Sequence, residues 1–109
     1  MRVISLRLLR DYWQQPGRQD LEQPLKTWHA VARKAKWANL VEMKTAFPTV
    51  DMAYGRYVFD IKGNNCRLIC SIDFTRHGVL VLWVGTHGDY DELMKNKGRQ
   101  FKKVHGEMP

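Results

Sequence analysis

Apolar residues in the first half of the chain recur at helical spacing. A short apolar segment at residues 2–5 predicts a first strand, and helical stretches follow it. The first helix is expected to start at Ser5, a residue that can cap a helix, and to end at Pro16. The second is expected to open at Asp20 with an acidic capping box, and a short third helix is expected around Asn39. The apolar positions are Leu6, Leu9, Trp13, Leu21, Leu25, Trp28, Ala32, Ala35, Leu40, Val41 and Met43.

The hydrophobic period changes from that of a helix to that of a strand in the second half. Alternating residues predict strands at 56–61 and 66–75, joined by a turn at 63–65. Residues 79–85 are almost continuously apolar, which predicts a central strand with both faces covered. An acidic capping box at 89–92 predicts a last helix.

These elements predict one small α+β domain, since 109 residues leave little room for a second. Two to three helices are expected to pack on one face of a mostly antiparallel sheet, with the other face free to hold a ligand. We assign residues 1–94 to this domain. Residues 95–109 hold five Lys or Arg and one Glu, and they are expected to form the basic end of the last helix and a solvated tail.

The chain is basic, with 18 Lys and Arg against 11 Asp and Glu and a net charge of +7. This charge favours a polyanionic partner such as nucleic acid, and the alternative is that it serves solubility. No apolar run approaches the roughly 20 residues of a membrane span, so no membrane association is expected. The apolar stretch at the N-terminus is too short for a secretory signal.

Cys66 and Cys70 lie four residues apart on one predicted strand. At about 3.3 Å per residue their Cα atoms are roughly 13 Å apart, beyond the ~7 Å reach of a disulfide. They are expected to be free thiols of the core in a reducing cytoplasm. No Cys or His spacing suits zinc, and neither a metal nor a cofactor is expected.

The junction between the last strand and the last helix is the first candidate site. A strand end holds side chains rigidly near the surface. His87 can transfer a proton near neutral pH, and Tyr90 can donate a hydrogen bond or a proton. The alternative is that Thr86 and Asp89 cap the helix while His87 and Tyr90 are ordinary surface groups.

A second candidate site lies on the polar face of the strands. Arg67 projects from the middle strand, and Arg56 and Arg76 lie at strand ends. The planar guanidinium suits a phosphate, because it makes two parallel charge-assisted hydrogen bonds. The alternative is a solvated sheet face on which Arg67 pairs with Asp60 across the strands.

The third candidate is the basic side of the middle helices, with Lys34, Lys36 and Lys44 near Trp37. Basic residues beside an aromatic ring suit RNA, through phosphate contacts and base stacking. The alternative places Trp37 in the core, together with Trp13 and Trp28.

A ribonuclease that uses no metal needs few groups. One removes the proton of the ribose 2′-hydroxyl, cations stabilise the phosphate, and an acid protonates the departing 5′-oxygen. Arg67, His87 and Tyr90, with Lys44 or Arg76, supply such a set. These residues permit the reaction without establishing it.

Several short motifs occur together in a fixed order. They are Met1-Arg2-Val3-Ile4-Ser5 with Leu9-Arg10 and Trp13, Gln23-Pro24-Leu25 with Trp28, Ala35 with Trp37-Ala38-Asn39, Phe47-Pro48 with Asp51, Val58-Phe59-Asp60-Ile61-Lys62-Gly63-Asn64, Arg67-Leu68-Ile69, and Gly85-Thr86-His87 with Tyr90-Asp91. Over residues 1–94 the chain thereby resembles the HigB family of toxins from type II toxin–antitoxin systems, small relatives of the RelE-like ribonucleases. The segments that begin at Phe47 and Val58 resemble the family signatures FPxxD and VFNIxGN.

The resemblance implies a RelE-like fold and cleavage of messenger RNA, typically on a translating ribosome. It also implies inhibition by an adjacent HigA-like antitoxin with a helix-turn-helix, through which operator DNA would be bound. Roles for Arg67, His87 and Tyr90 are implied because these residues fall in matching motifs. Two departures from the family pattern matter: Leu82 stands where many members carry an arginine, and Cys66 replaces the usual aromatic residue.

A non-catalytic RNA- or ribosome-binding module is the rival interpretation. It would use the same charge and the same sheet face without proton transfer. A transcription regulator is disfavoured, because the chain has no convincing helix-turn-helix of its own.

Overall fold

The computed structural model describes residues 1–63 and 65–95, and the predicted tail beyond Lys95 lies outside them. The elements in chain order are β1 (Arg2–Ile4), α1 (Leu6–Trp13), a 3₁₀ turn (Gln19–Leu21), α2 (Glu22–Lys34), α3 (Leu40–Ala46), β2 (Asp51–Ala53), β3 (Arg56–Ile61), β4 (Cys66–Asp73), β5 (Gly78–Thr86) and α4 (87–95). The predicted α+β class is confirmed. No helix of the described residues is long and apolar enough to cross a membrane.

The strands form a single five-stranded sheet in the order β1-β5-β4-β3-β2. β1 runs parallel to β5, and all other neighbours are antiparallel. The central position predicted for residues 79–85 is confirmed, since β5 lies between β1 and β4. β2 was not predicted, because three residues are too few to show an alternating pattern.

Helices α1, α2 and α3 cover one face of the sheet, which we call the helical face. Leu9, Leu25, Trp28 and Met43 are almost completely buried there. They form one cluster with apolar residues at alternate positions of the strands, namely Phe59, Ile61, Cys66, Leu68, Cys70, Val79 and Val81. Burial of these side chains, at about 1.5–3 kcal/mol each, is the main force that holds the helices on the sheet.

The opposite face of the sheet, which we call the second face, is only partly open. Val58 and Ile69 form a smaller buried cluster there, against Trp83 of β5 and Tyr90 of α4. The expectation that this face is free was therefore wrong where α4 packs on it. The apolar residues of α4, like those of α1–α3, are stabilised when they are shielded from water. On the second face they pack against Val58 and Ile69.

A β-bulge in β5 sets which face each of its residues takes. Ile69 pairs with Trp83 and Cys70 pairs with Val81, so Leu82 is one extra residue in this strand. A bulge changes the phase of the alternation beyond it. Trp83 therefore lies on the second face, while Val81 belongs to the core under the helices.

Two of the four expected helix starts are confirmed. Asn39 caps α3, and its side chain accepts a hydrogen bond from the Glu42 N–H at 2.9 Å. α1 begins at Leu6, directly after Ser5 as expected, although Ser5 has a left-handed backbone and makes no side-chain cap. α2 begins at Glu22 rather than at Asp20, whose carboxylate binds Lys62.

The fourth start, that of α4, falls two residues earlier than predicted. The helix begins at residue 87 and not at 89. The cap is Thr86, whose Oγ1 accepts a hydrogen bond from the Asp89 N–H at 3.0 Å. This part of the alternative interpretation, that Thr86 caps the helix, is confirmed.

The expectations for tryptophan and cysteine are largely confirmed. Trp28 and Trp37 are buried, whereas Trp13 is only half-buried at the edge of the core. Cys66 and Cys70 are buried free thiols. Burial raises the pKa of Cys66 to about 12 and also raises that of Cys70, so both are neutral at ordinary pH.

Candidate functional site

Arg67 and Asp60 are the centre of the candidate site on the second face. They face each other in register on β4 and β3. Arg67 Nε donates to Asp60 Oδ1 at 3.0 Å, and the two side chains are 19% and 24% exposed. The cross-strand pairing that the sequence left open as an alternative is therefore present.

Tyr90 packs on this ion pair from α4. The Arg67 guanidinium carbon lies 4.6 Å from the centroid of the Tyr90 ring, within the range of a cation–π contact. Trp83 also packs near Tyr90, with ring centroids 6.3 Å apart. Arg67 is thus held by the Asp60 carboxylate at Nε and by the Tyr90 ring next to its guanidinium.

These two contacts leave the outer nitrogens of Arg67 available. Asp60 occupies Nε, and within the described residues Nη1 and Nη2 make no hydrogen bond or ion pair. A guanidinium binds phosphate through such N–H groups in a planar fork. The site therefore presents a fixed cation, with little conformational freedom left to lose when an anion binds.

The pKa of Tyr90 is raised above its usual value, mainly because burial disfavours the phenolate. Arg67 acts in the opposite direction, and Asp51, Asp91 and Asp60 raise the pKa further. The phenol therefore keeps its proton at neutral pH. It can donate a hydrogen bond to a phosphate or a leaving oxygen, but it is not a base.

His87 is the first residue of α4. It directly follows Thr86, which pairs with Cys66, the residue before Arg67 on β4. Its Nε2 lies 3.1 Å from Asp91 Oδ2, one helical turn further on, and the His87 side chain is 42% exposed. Nδ1 is buried and has no hydrogen-bond partner among the described residues. Asp91 therefore orients the imidazole ring at the same end of the sheet as Arg67.

The lysines predicted to bind RNA lie elsewhere. Lys34 ends α2, Lys36 follows it and Lys44 lies on α3, so all three belong to the layer on the helical face. They are exposed, but the structure does not bring them to Arg67. Trp37 is buried with its ring against Phe47, at 5.8 Å between centroids, and is not available for stacking on a base.

The two other arginines also lie apart from the centre of the site. Arg56 begins β3 and is only 7% exposed, so it presents little surface to RNA. Arg76 is exposed in the turn between β4 and β5, where it pairs with Asp73 at 3.9 Å. At about 3.3 Å per residue, β4 separates Arg76 from Arg67 by roughly 20 Å.

Sequence reasoning missed the supporting roles of Trp83 and Asp91. Asp91 follows His87 by four residues, and on a helix this spacing alone would have identified it as the partner of the imidazole. Trp83 carries no such signal, because its face depends on the bulge at Leu82. No group of three His, Cys, Asp or Glu that could hold a metal ion is present in residues 1–63 and 65–95.

The amino-acid sequence is similar to those of known toxins. Residues 21–93 match the sequence model of a family described as HigB toxin, the RelE-like toxic component of a toxin–antitoxin system. The chain is also 34% identical over 74 residues to the mRNA interferase HigB of Escherichia coli O6:H1. That alignment covers 65% of this chain and 72% of the relative. The matched residues include Asp60, Arg67, His87 and Tyr90 of the candidate site.

Proposed function

The chain belongs to the HigB family of RelE-like toxins, and we propose on this premise that it is an endoribonuclease that cleaves messenger RNA. It acts as the toxin of a type II toxin–antitoxin pair, on the translating ribosome, and so inhibits translation and growth. The observation that carries this proposal is the fixed Arg67, whose outer N–H groups are available beside the neutral phenol of Tyr90.

The proposed reaction moves one proton at each end of the scissile bond. The ribose 2′-oxygen loses its proton to a base and attacks phosphorus, and the bond from phosphorus to the 5′-oxygen breaks. The 5′-oxygen leaves with a proton from an acid, which gives a 2′,3′-cyclic phosphate and a 5′-hydroxyl. His87 makes one of these two transfers and a water molecule makes the other, while Arg67 stabilises the charge that develops on the phosphate. Tyr90 orients the scissile group by donating a hydrogen bond.

The remaining assignments are proposals of the same kind. Residues 1–94 form the toxin domain, and the reaction needs neither metal nor cofactor. Lys34, Lys36, Lys44 and Arg76 contact ribosomal or messenger RNA outside the cleavage centre, and the buried Arg56 contributes least. A HigA-like antitoxin with a helix-turn-helix neutralises the protein in the cytoplasm and carries any contact with operator DNA.

Mapping the 5′ ends of transcripts after induction tests the proposal. The wild type and Arg2→Ala, a matched control at an exposed arginine on β1, are expected to give discrete cuts that vanish when translation is blocked. Arg67→Ala is expected to give none. Ribosome binding by the wild type with every transcript intact would instead establish the non-catalytic binding module.

A further inference from the structure

Helices α1 and α2 enclose a groove of about 220 Å³ on the helical face, away from Arg67. Apolar side chains of both helices, including Leu6 and Trp13, form its walls. The polar residues that line it are all basic, namely Arg7, Arg10, Lys26 and His29. This α1–α2 groove thus combines apolar walls with a cationic rim.

The apolar wall of the groove is partly open to solvent. Leu6 and Leu9 of α1 both line it, and Leu6 is 36% exposed whereas Leu9 is fully buried. Apolar side chains of another molecule can pack into a groove with such walls.

The charge of the rim is carried by the arginines and the lysine. Burial and the nearby Arg33 lower the pKa of His29, which is therefore neutral at pH 7. Arg7 pairs with Asp11 at 3.5 Å, but both side chains are more than half exposed, and such pairs contribute little. Lys26 lies over the Trp13 ring at 5.5 Å, so its cation borders the apolar wall. It also pairs with Glu22 one turn earlier on α2, and because both side chains are partly exposed this pair contributes little as well.

We propose that the α1–α2 groove docks an acidic amphipathic helix of the antitoxin. Apolar residues at helical spacing would enter between α1 and α2, while carboxylates on either side would meet Arg7, Arg10 and Lys26. The apolar walls favour a protein helix over RNA, because a ribose-phosphate backbone has nothing to bury there. This inference rests on the proposed pairing with an antitoxin and adds where that partner binds.

A charge-reversed double variant tests the site. Leu6→Asp with Arg10→Glu makes the groove polar and acidic, and Asp is a favourable residue in the first turn of a helix. The matched control is Met52→Asp with Arg2→Glu, which makes the same kind of change at an apolar residue on β2 and an arginine on β1. Both variants are produced with and without the cognate antitoxin, and thermal unfolding confirms that each is folded.

We expect antitoxin binding to weaken by about 100-fold in the groove variant, because the variant loses a central apolar contact and a charge pair. Growth arrest should persist when this variant is expressed alone, and the antitoxin should no longer relieve it. The control should bind and be relieved as the wild type is. If Leu6→Asp unfolds α1, Arg10→Glu alone, on the helix surface, should still weaken binding measurably.

Three outcomes overturn the inference. Unchanged antitoxin binding by the groove variant places the partner elsewhere, while the proposed pairing stands. Loss of growth arrest in the folded groove variant assigns the groove to RNA or the ribosome. Failure of the wild type to bind its antitoxin refutes the pairing itself and the docking site with it.

Discussion

The guanidinium of Arg67 lies against the ring of Tyr90, 4.6 Å from carbon to ring centroid, on the face of the sheet opposite α1–α3. Arg67 belongs to β4 and Tyr90 to α4, so this contact joins the sheet to the last helix. With Asp60 at Nε, it fixes a cation whose outer N–H groups make no further hydrogen bond or ion pair with the described residues.

Arg67→Ala should abolish most of the cleavage activity. Removing a donor that stabilises developing charge lowers kcat by about 100- to 1,000-fold. Arg67→Lys keeps the charge but loses the planar fork and the contact at Nε, so it should recover only part of the rate. Single-turnover cleavage of a translated transcript measures both variants. Equal rates for Lys and Arg at this position would mean that charge alone matters.

Asp60→Ala should lower kcat while KM changes little, since Asp60 positions Arg67 and does not contact the RNA. Asp60→Asn should retain most of the rate, because its amide oxygen still accepts the hydrogen bond from Arg67 Nε. The family signature that this segment resembles has Asn at this position. Comparing kcat and KM for the two variants checks the role. An Asn variant as slow as the Ala variant would show that the carboxylate charge is needed.

Gly85→Ala should destabilise the junction that leads into α4. An added Cβ would lie 2.4–2.5 Å from two carbon atoms of the Trp83 indole, so the ring would have to shift. Such overpacking costs about 1–3 kcal/mol. Gly88→Ala is the matched control, since its Cβ would meet only Thr86 Oγ1, at 3.9 Å. Urea unfolding compares the two, and equal free energies of unfolding would contradict the tight packing at Trp83.

Tyr90 should ionise at a higher pH than an ordinary tyrosine, because burial raises its pKa. Removal of the nearby cation in Arg67→Ala should raise this pKa further, since Arg67 favours the phenolate. Phenolate absorbance, titrated with Tyr90→Phe as the reference, isolates the residue. A transition below the usual tyrosine pKa of about 10 would refute the neutral donor.

The free energy of unfolding should fall as the pH rises above about 9. The pKa of Cys66 is about 12 in the folded protein against 9.0 for a thiol that is not buried, so between these pH values the unfolded chain loses the thiol proton first. The stabilisation that comes from the raised pKa of Cys66 is complete below the pKa of the thiol in the unfolded chain. It is lost as the pH rises toward the pKa of the thiol in the folded protein.

Replacing the thiol separates this effect from other alkaline titrations. Cys66→Ala should be less stable at neutral pH, because it leaves a small cavity in the core, yet its stability should decline less steeply above pH ~9. Urea midpoints across the alkaline range give both quantities. Parallel declines in the wild type and the variant would exclude Cys66 as the cause.

The sequence alone determined the order of elements wherever the hydrophobic period was sustained. α2, β3 and β4 were predicted because apolar residues at fixed spacing must face one core, and β5 because a short, almost continuous apolar run is typical of a strand with neighbours on both sides. The signal failed at β2, where three residues show no period, and the side-chain cap expected at Ser5 is absent, because the backbone there is left-handed. Cap geometry depends on the angle at which the chain enters a helix, and local composition does not fix that angle.

Only the tertiary structure decided which candidates form the site. Arg67 and Tyr90 are 23 residues apart in the sequence, and a cation–π contact between them requires α4 to fold back over the second face. That placement depends on the bulge at Leu82, which turns Trp83 toward Tyr90. Arg76 and the lysines looked equally suitable in the sequence. The sequence shows the chemistry of each side chain, but strand register and the face of the sheet that each element covers decide which side chains come together. These two features place Arg76 and the lysines away from Arg67.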